Sequence, residues 1–123
     1  MKTLLWLDDV RNPLENNWLV FSPIEQPFNV VWVKSYDEFK SYIVDNGMPD
    51  AICFDHDLDP NQGLEGIEII GEKTGYDCAK WLVWFCYENK IKLPLYNIQS
   101  ANPVGKQNIK SILENYKKHH GTI

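Results

Sequence analysis

Two short acidic segments hold the residues of this sequence that are best suited to chemistry. Asp8–Asp9 follows the apolar run Thr3–Leu7, and Asp55–Asp59 (DHDLD) follows the apolar run Ala51–Phe54. Carboxylates that lie close together repel one another unless a cation lies among them, and Mg²⁺ prefers such hard oxygen ligands. If the two runs are neighbouring strands, they create a predicted site for Mg²⁺ (or Mn²⁺) with the ligands Asp8, Asp9 and Asp55.

The DHDLD segment also offers groups for acid–base catalysis. In an extended backbone Asp55 and Asp57 lie on one side of the strand and His56 lies on the other. Asp55 could attack a substrate directly, or Asp57 or His56 could activate a water, since a lone histidine titrates near neutrality. The structural alternatives are that His56 fixes the loop by a hydrogen bond and that the aspartates only end strands and begin turns.

Polar residues after the last apolar run could bind an anion. Asn102 and Pro103 are typical of a helix N-cap and its first helical residue, and free backbone N–H groups at a helix start favour phosphate. The side chains of Ser100 and Asn102 could join them. Arg11, the only arginine, could bind a phosphate through two hydrogen bonds or pair with an aspartate. The alternative is that Asn102 only caps the helix.

The elements that must position these residues follow from four short apolar runs. The runs are continuous rather than alternating, which is typical of strands buried on both faces of a parallel sheet. We predict strands at Thr3–Leu7, Asn29–Val33, Ala51–Phe54 and Leu95–Ile98. We expect an open α/β sheet with the strand order 2-1-3-4 and helices on both faces, and in such sheets ligands bind at the carboxyl ends of the strands.

Helix caps and breakers divide the rest of the chain. Helices are predicted to begin at Ser35, after Thr74 and at Asn102, while the tail Lys117–Ile123 is expected to be frayed. Three prolines in the first crossover allow a short helical turn at best. The glycine-rich segment Pro60–Lys73 is either a lid over the site or a surface loop.

Composition limits the classes of function. The 123 residues are 44% hydrophobic, which predicts one folded domain over residues 1–123. The net charge of −5 argues against a duplex-DNA binder, and no apolar run is long enough to span a membrane or serve as a secretory signal. We therefore expect a cytoplasmic protein, whose three cysteines are buried small hydrophobic residues and whose oligomeric state the sequence does not define.

The acidic pair, the later aspartate and the serine resemble the receiver domain of response regulators. Such domains carry an acidic pair after strand one, a phosphate-accepting Asp after strand three and a Ser or Thr after strand four. In this sequence these are Asp8–Asp9, Asp55 and Ser100. The receiver pattern also has a Lys after a fifth strand, and we expect both that strand and that Lys to be missing here.

A closer resemblance is to the stand-alone cyclic-phosphate processing receiver-like domains. It covers nearly the whole chain, through LDDVRNP (Leu7–Pro13), FDHDLD (Phe54–Asp59), TGYD (Thr74–Asp77) and SANPVG (Ser100–Gly105). In that family a His often precedes the Ser of SANP, and Gln99 takes its place here. The resemblance implies action on cyclic phosphates such as those at RNA ends, with position 99 contacting the substrate.

Two functions are consistent with these residues. The first is a Mg²⁺-dependent phosphoesterase for a phosphorylated small molecule, a nucleotide or an RNA end, in which Asp55, His56 and Asp57 carry the chemistry. The phosphate is then held by Arg11, Gln99, Ser100 and Asn102. The second is a signalling or binding module, in which Asp55 accepts a phosphoryl group or the site binds metal and phosphate without chemistry.

Overall fold

The four apolar runs of the sequence form one parallel sheet. The computed structural model describes residues 1–58 and 74–120. The strands are β1 (Lys2–Leu7), β2 (Phe28–Val33), β3 (Ala51–Phe54) and β4 (Leu95–Ile98). Their order is β2-β1-β3-β4, so the predicted order 2-1-3-4 is confirmed. The ends of β1 and β3 are therefore neighbours.

Three α-helices follow the strands, and each begins at the cap that the sequence indicates. They are α1 (Tyr36–Asn46), α2 (Gly75–Asn89) and α3 (Pro103–His120). Ser35 Oγ accepts a hydrogen bond from the backbone N–H of Glu38 at 3.1 Å, which caps α1. Thr74 and Asp77 form a reciprocal capping box at the start of α2. These caps fix where each helix begins, and α2 and α3 both begin close to the end of β3.

The last turn of α3 is better ordered than the sequence predicts. The frayed tail was expected from Lys117 onward, but the helix continues to His120. The ring of His120 packs 5.3 Å from the ring of Tyr87 on α2 and 5.0 Å from the ring of Tyr116. The basic residues of this turn also interact favourably with the negative end of the helix dipole. The prediction of fraying is therefore wrong for Lys117–His120.

The two faces of the sheet are covered differently. Leu5, Ile52 and Phe54 face one large core, which they share with the buried residues of all three described α-helices. Leu4 and Trp6 face a second, smaller core. That core is closed by the first crossover, which contains the 3-10 helix Trp18–Phe21. The predicted short helical turn is confirmed. In the described residues no α-helix covers the second face, so the expectation of helices on both faces is met there only by this 3-10 helix within proline-rich chain.

The three cysteines are buried and free, as predicted. Burial raises the pKa of the Cys53 thiol to about 12 and that of Cys86 to about 11. Such thiols stay protonated and behave as small apolar side chains. Among the described residues, no helix has both the length and the apolar character needed to cross a membrane.

Candidate functional site

The hydrogen-bond ladder of the sheet continues for one residue past the carboxyl end of three strands. The backbone N–H of Asp8 donates to Val33 O, that of Asp55 donates to Leu7 O and that of Gln99 donates to Phe54 O, each at 3.0 Å. Asp8, Asp55 and Gln99 therefore stand at the same edge of the sheet. This places the predicted carboxylates on rigid backbone rather than on a loose loop.

Three carboxylates converge at this edge. One oxygen from each of Asp8, Asp9 and Asp55 lies within 4.8 Å of the other two. Asp8 is fully buried, Asp55 is 6% exposed and Asp9 is partly exposed. The strand order thus brings the three predicted metal ligands together, in a cluster that opens to solvent on the side of Asp9.

The acidic cluster is incompletely neutralised by the protein. Asp8 Oδ1 accepts hydrogen bonds from the backbone N–H groups of Val10 and Arg11, at 3.1 and 2.9 Å. Asp8 Oδ2 has no hydrogen-bond partner among the described residues and lies 3.6 Å from Arg11 Nη1, an ion pair longer than a hydrogen bond. Because buried polar atoms are nearly always satisfied, this oxygen and the two neighbouring carboxylates fit a divalent cation.

Burial and repulsion shift the titration of the two buried aspartates. Burial raises the pKa of Asp8, although the backbone N–H groups of Arg11 and Val10 oppose it. Burial, followed by the negative charge of Asp8, raises the pKa of Asp55 to about 6. Arg11 acts in the opposite direction but does not cancel these effects. The surrounding protein therefore disfavours the ionised forms of Asp8 and Asp55.

Arg11 connects the acidic cluster to the loop after β4. Its Nη1 donates to Gln99 O at 3.0 Å, and its guanidinium carbon lies 4.9 Å from the centroid of the Trp18 ring. The side chain is 25% exposed. Arg11 is thus a fixed positive charge beside the carboxylates with part of its surface open to a ligand.

Gln99 is buried beneath the site rather than displayed on its surface. Only 5% of it is exposed, and its side-chain Nε2 donates to Leu7 O at 3.0 Å. Its Oε1 has no hydrogen-bond partner among the described residues. The predicted substrate contact Gln99 is therefore buried beside the ends of β1 and β3, and its Oε1 is a buried acceptor without a partner among the described residues.

The start of α3 has fewer free donors than the sequence suggests. Asn102 Oδ1 accepts from the Gly105 N–H at 2.9 Å, so the capping alternative for Asn102 is confirmed. Pro103 has no N–H, which leaves the N–H of Val104 as the free donor of the first turn. Ser100 Oγ accepts from the Asn102 N–H at 3.1 Å and keeps its own proton for donation. An anion at this end would meet the Ser100 hydroxyl and one backbone N–H.

His56 and Asp57 form a pair next to the start of α3. His56 Nδ1 lies 2.9 Å from Asp57 Oδ1, which also accepts from Asn102 Nδ2 at 3.3 Å. The hydrogen bond with His56 is the largest cause that lowers the pKa of Asp57 below its ordinary value. An ionised carboxylate can only accept, so Nδ1 donates in this bond, and in the neutral tautomer Nε2 is the acceptor nitrogen. The hydrogen bond between His56 and Asp57 fixes the loop and leaves Nε2 of His56 as a proton acceptor.

The sequence matches a known domain family over most of its length. The model of the cyclic-phosphate processing receiver domain matches residues 3–115. This chain belongs to that family. Among curated proteins, the search found no significant match to this receiver domain.

Solved structures of low sequence identity are similar to this chain, and those with a TM-score above 0.5 show its fold. The Mn²⁺-bound form of response regulator Rcp1 is 14% identical with a TM-score of 0.51, and the alignment covers 100% of this chain and 97% of that one. The phosphorylated cyanobacterial phytochrome response regulator RcpA is 14% identical with a TM-score of 0.49, over 94% and 91%. A fusion with the yeast Spc42 trimeric coiled coil is 17% identical with a TM-score of 0.55. That alignment covers 90% of this chain, which spans 60% of the fusion's length.

Two glycines let the helices of this receiver domain close on the end of β3. The N–H of Gly75 donates to His56 O at 2.7 Å, and a Cβ at Gly75 would overlap the backbone carbonyl of Asp55. A Cβ at Gly105 would overlap the imidazole of His56. The segment Asp55–His56 is therefore held between the N-terminal turns of α2 and α3. The sequence does not reveal this role of either glycine, because it depends on the distance between elements.

Another missed residue is Lys34, which the sequence shows only as the residue before a helix cap. Its Nζ lies 4.2 Å from the centroid of the Trp32 ring, and Trp32 in turn contacts the backbone of Asp8. A second positive charge is thus held close to the acidic edge. Asp59 and the segment Pro60–Lys73, for which a lid was one reading, lie outside the described residues.

The pKa of Asp55 predicts a pH-dependent stability in the absence of divalent cations. Below pH 4 the folded and unfolded states both hold the Asp55 proton. Between about pH 4 and 6 only the folded state keeps it, so this group lowers the free energy of unfolding as pH rises. The Asp55→Asn variant has no carboxyl group at this position, so its free energy of unfolding does not fall for this reason. We expect its stability relative to wild type to rise by about 2–3 kcal/mol from pH 4 to pH 7.

Urea unfolding with EDTA at both pH values measures this difference. Asp8, Asp9 and Arg11 face Asp55 and are present in both proteins, so the difference reports the Asp55 carboxyl together with its repulsion by Asp8. Asp45→Asn, an exposed charge change on α1, is the matched control and should show a flat difference. A flat difference for Asp55→Asn as well would show that burial and repulsion do not raise the Asp55 pKa.

A methyl group at Gly105 should separate His56 from Asp57. We expect Gly105→Ala to lower the free energy of unfolding by about 1–3 kcal/mol, as overpacked sites do. It should also raise the pKa of Asp57 toward its ordinary value, because the bond with His56 is lost. Urea unfolding and an NMR titration of the Asp57 carboxyl carbon measure the two effects. Val104→Ala, at an exposed neighbour, should leave both unchanged. An Asp57 pKa that stays low in Gly105→Ala is the contrary result.

Proposed function

We propose that this receiver domain is a Mg²⁺-dependent phosphoesterase that acts on a nucleotide or RNA-end phosphate, with a 2′,3′-cyclic phosphate as the preferred substrate. The observation that carries the proposal is the buried Asp8 Oδ2, which has no hydrogen-bond partner among the described residues and belongs to a cluster of three carboxylates. Membership of a cyclic-phosphate processing family supports the choice of substrate. The net charge of −5 favours a small ligand or a strand end over a long duplex.

The residues of the site divide into a cation side and a phosphate side. Asp8, Asp9 and Asp55 would hold the cation, which when bound withdraws charge from a phosphoryl oxygen. On the phosphate side, Arg11 has a partly exposed guanidinium and Ser100 has a hydroxyl proton to donate. These donors stabilise the negative charge that develops on the phosphoryl oxygens during attack.

The His56–Asp57 pair supplies the proton transfers. Asp57 holds the proton of His56 on Nδ1, so that Nε2 can take a proton from the attacking water. The water oxygen forms a bond to phosphorus, the bond between phosphorus and one ribose oxygen breaks, and that oxygen receives the proton. The product is a phosphate monoester. Rcp1, a response regulator of similar fold, is described as Mn²⁺-bound, which supports divalent-cation binding by this domain.

Turnover of defined substrates tests this proposal. We expect hydrolysis of a 2′,3′-cyclic nucleotide or of an RNA ending in that group in the presence of Mg²⁺, and none with EDTA. Asp55→Asn and His56→Ala should each lower kcat/KM by at least about 10²-fold, the ordinary range for acid–base groups and metal ligands. Asp45→Asn is the control for a charge change and should retain wild-type turnover.

Signalling is the second candidate, favoured by the position of Asp55 at the end of β3 in a receiver fold. The test is incubation of the wild-type protein with acetyl phosphate and Mg²⁺, followed by mass spectrometry. We expect little labelling of Asp55, because the lysine that accompanies the phosphorylated aspartate in receivers is not part of the described site. Stoichiometric labelling of Asp55 without turnover of any cyclic phosphate would favour signalling over hydrolysis.

A further inference from the structure

Two tryptophans lie side by side beneath the acidic loop. Trp6 on β1 and Trp32 on β2 are register partners in the parallel pair, and both belong to the smaller core on the second face of the sheet. Trp6 is fully buried, and Trp32 is partly buried. Their indole N–H groups are the polar atoms of otherwise apolar side chains. A buried indole N–H requires an acceptor, since it can only donate.

Both indoles find that acceptor in the loop that carries the predicted metal ligands. Trp32 Nε1 donates to Asp8 O at 2.8 Å, and Trp6 Nε1 donates to Arg11 O at 3.0 Å. The two bonds therefore hold the first and last residues of the four-residue segment Asp8–Arg11. Each acts on a backbone carbonyl, so it fixes the path of the chain rather than one side chain.

Contacts within the segment Asp8–Arg11 and contacts with Trp18 and Gln99 also fix its conformation. Asp8 Oδ1 accepts from the N–H groups of Val10 and Arg11, and Oδ2 has no hydrogen-bond partner among the described residues. The guanidinium of Arg11 lies over the ring of Trp18 and donates to Gln99 O. Rotation of the segment would break the indole bonds and the Asp8 bonds together. The orientation of the Asp8 carboxylate thus depends on the two indoles.

We propose that Trp6 and Trp32 are positioning residues of the cation site, acting through their indole N–H groups on the segment Asp8–Arg11. The inference rests on the proposed cation binding of Asp8, Asp9 and Asp55. Ligand oxygens must be held within about 0.5 Å of their working positions, and groups outside the ligand set supply this precision in metal sites. Neither tryptophan touches the substrate in this account. A purely structural role would require their rings alone.

A change from tryptophan to phenylalanine separates the ring from the N–H group. Trp32→Phe keeps an aromatic side chain in the smaller core and removes the donor to Asp8 O. Trp6→Phe does the same for Arg11 O at a fully buried position. Trp81→Phe is the matched control, because Trp81 is partly buried, packs on Phe39 and Phe85, and lies on α2 away from the acidic loop. All three variants lose the same atoms from a packed aromatic residue.

Two measurements on each full-length variant test the proposal. The first is the dissociation constant for Mn²⁺ by isothermal titration calorimetry, which does not depend on turnover. We expect Trp32→Phe to weaken Mn²⁺ binding by about tenfold, while Trp81→Phe binds as wild type does. The second is backbone hydrogen exchange without metal. We expect faster exchange at Val10 and Arg11 in Trp32→Phe, with unchanged exchange at Ile52 in β3.

The outcomes distinguish this inference from the proposed function. Wild-type affinity for Mn²⁺ in Trp32→Phe, or an equal loss in Trp81→Phe, would overturn the positioning role. If Trp6→Phe does not fold, Trp32→Phe alone decides. If the wild-type protein does not bind Mn²⁺, the proposed cation chemistry fails. In that case the exchange rates still test whether the indole hydrogen bonds fix the segment Asp8–Arg11. Unchanged rates at Val10 and Arg11 in Trp32→Phe would show that they do not.

Discussion

The repulsion between the buried carboxylates of Asp8 and Asp55 is the constraint on which the rest of the site depends. The parallel order β2-β1-β3-β4 makes β1 and β3 neighbours, and the two aspartates follow them directly. Burial disfavours the charged form of both groups and raises both pKa values, and the negative charge of Asp8 raises the pKa of Asp55 further. A fold that keeps this arrangement needs either a proton or a cation, and at neutral pH a divalent cation relieves the repulsion more completely.

The surroundings of the carboxylates are arranged to hold them still. Backbone ladders fix Asp8 and Asp55 on their strands, and the N-terminal turns of α2 and α3 close on the end of β3 through Gly75 and Gly105. The aromatic side chains beneath the segment Asp8–Arg11 fix it from the opposite face of the sheet. The backbone around the carboxylates therefore has little freedom to move. A proton or a cation, rather than backbone movement, must relieve the repulsion between them. Such rigidity is required of the ligands in a cation site and is not required of acids that merely end strands.

The sequence predicts those features that depend on local pattern. The four strands, their order, the caps at Ser35 and Thr74 and the family resemblance all follow from short apolar runs and short motifs, and all are confirmed. Features that depend on contacts between distant segments are not predictable in this way. The ring contacts of His120 explain why the expected fraying is wrong, and the packing of the first crossover on the second face explains why no α-helix of the described residues covers it. The indole bonds of Trp6 and Trp32 require the register of β1 with β2, which no single segment shows.

The most direct test of the central claim is the titration of the Asp55 carboxyl carbon by NMR, with and without Mg²⁺. Without the cation, we expect a pKa of about 6, because burial and the charge of Asp8 oppose ionisation. With millimolar Mg²⁺, we expect a pKa below the ordinary aspartate value, because the cation favours the charged form. An Asp55 pKa that is the same in both titrations would contradict the claim that these carboxylates are gathered to hold a cation.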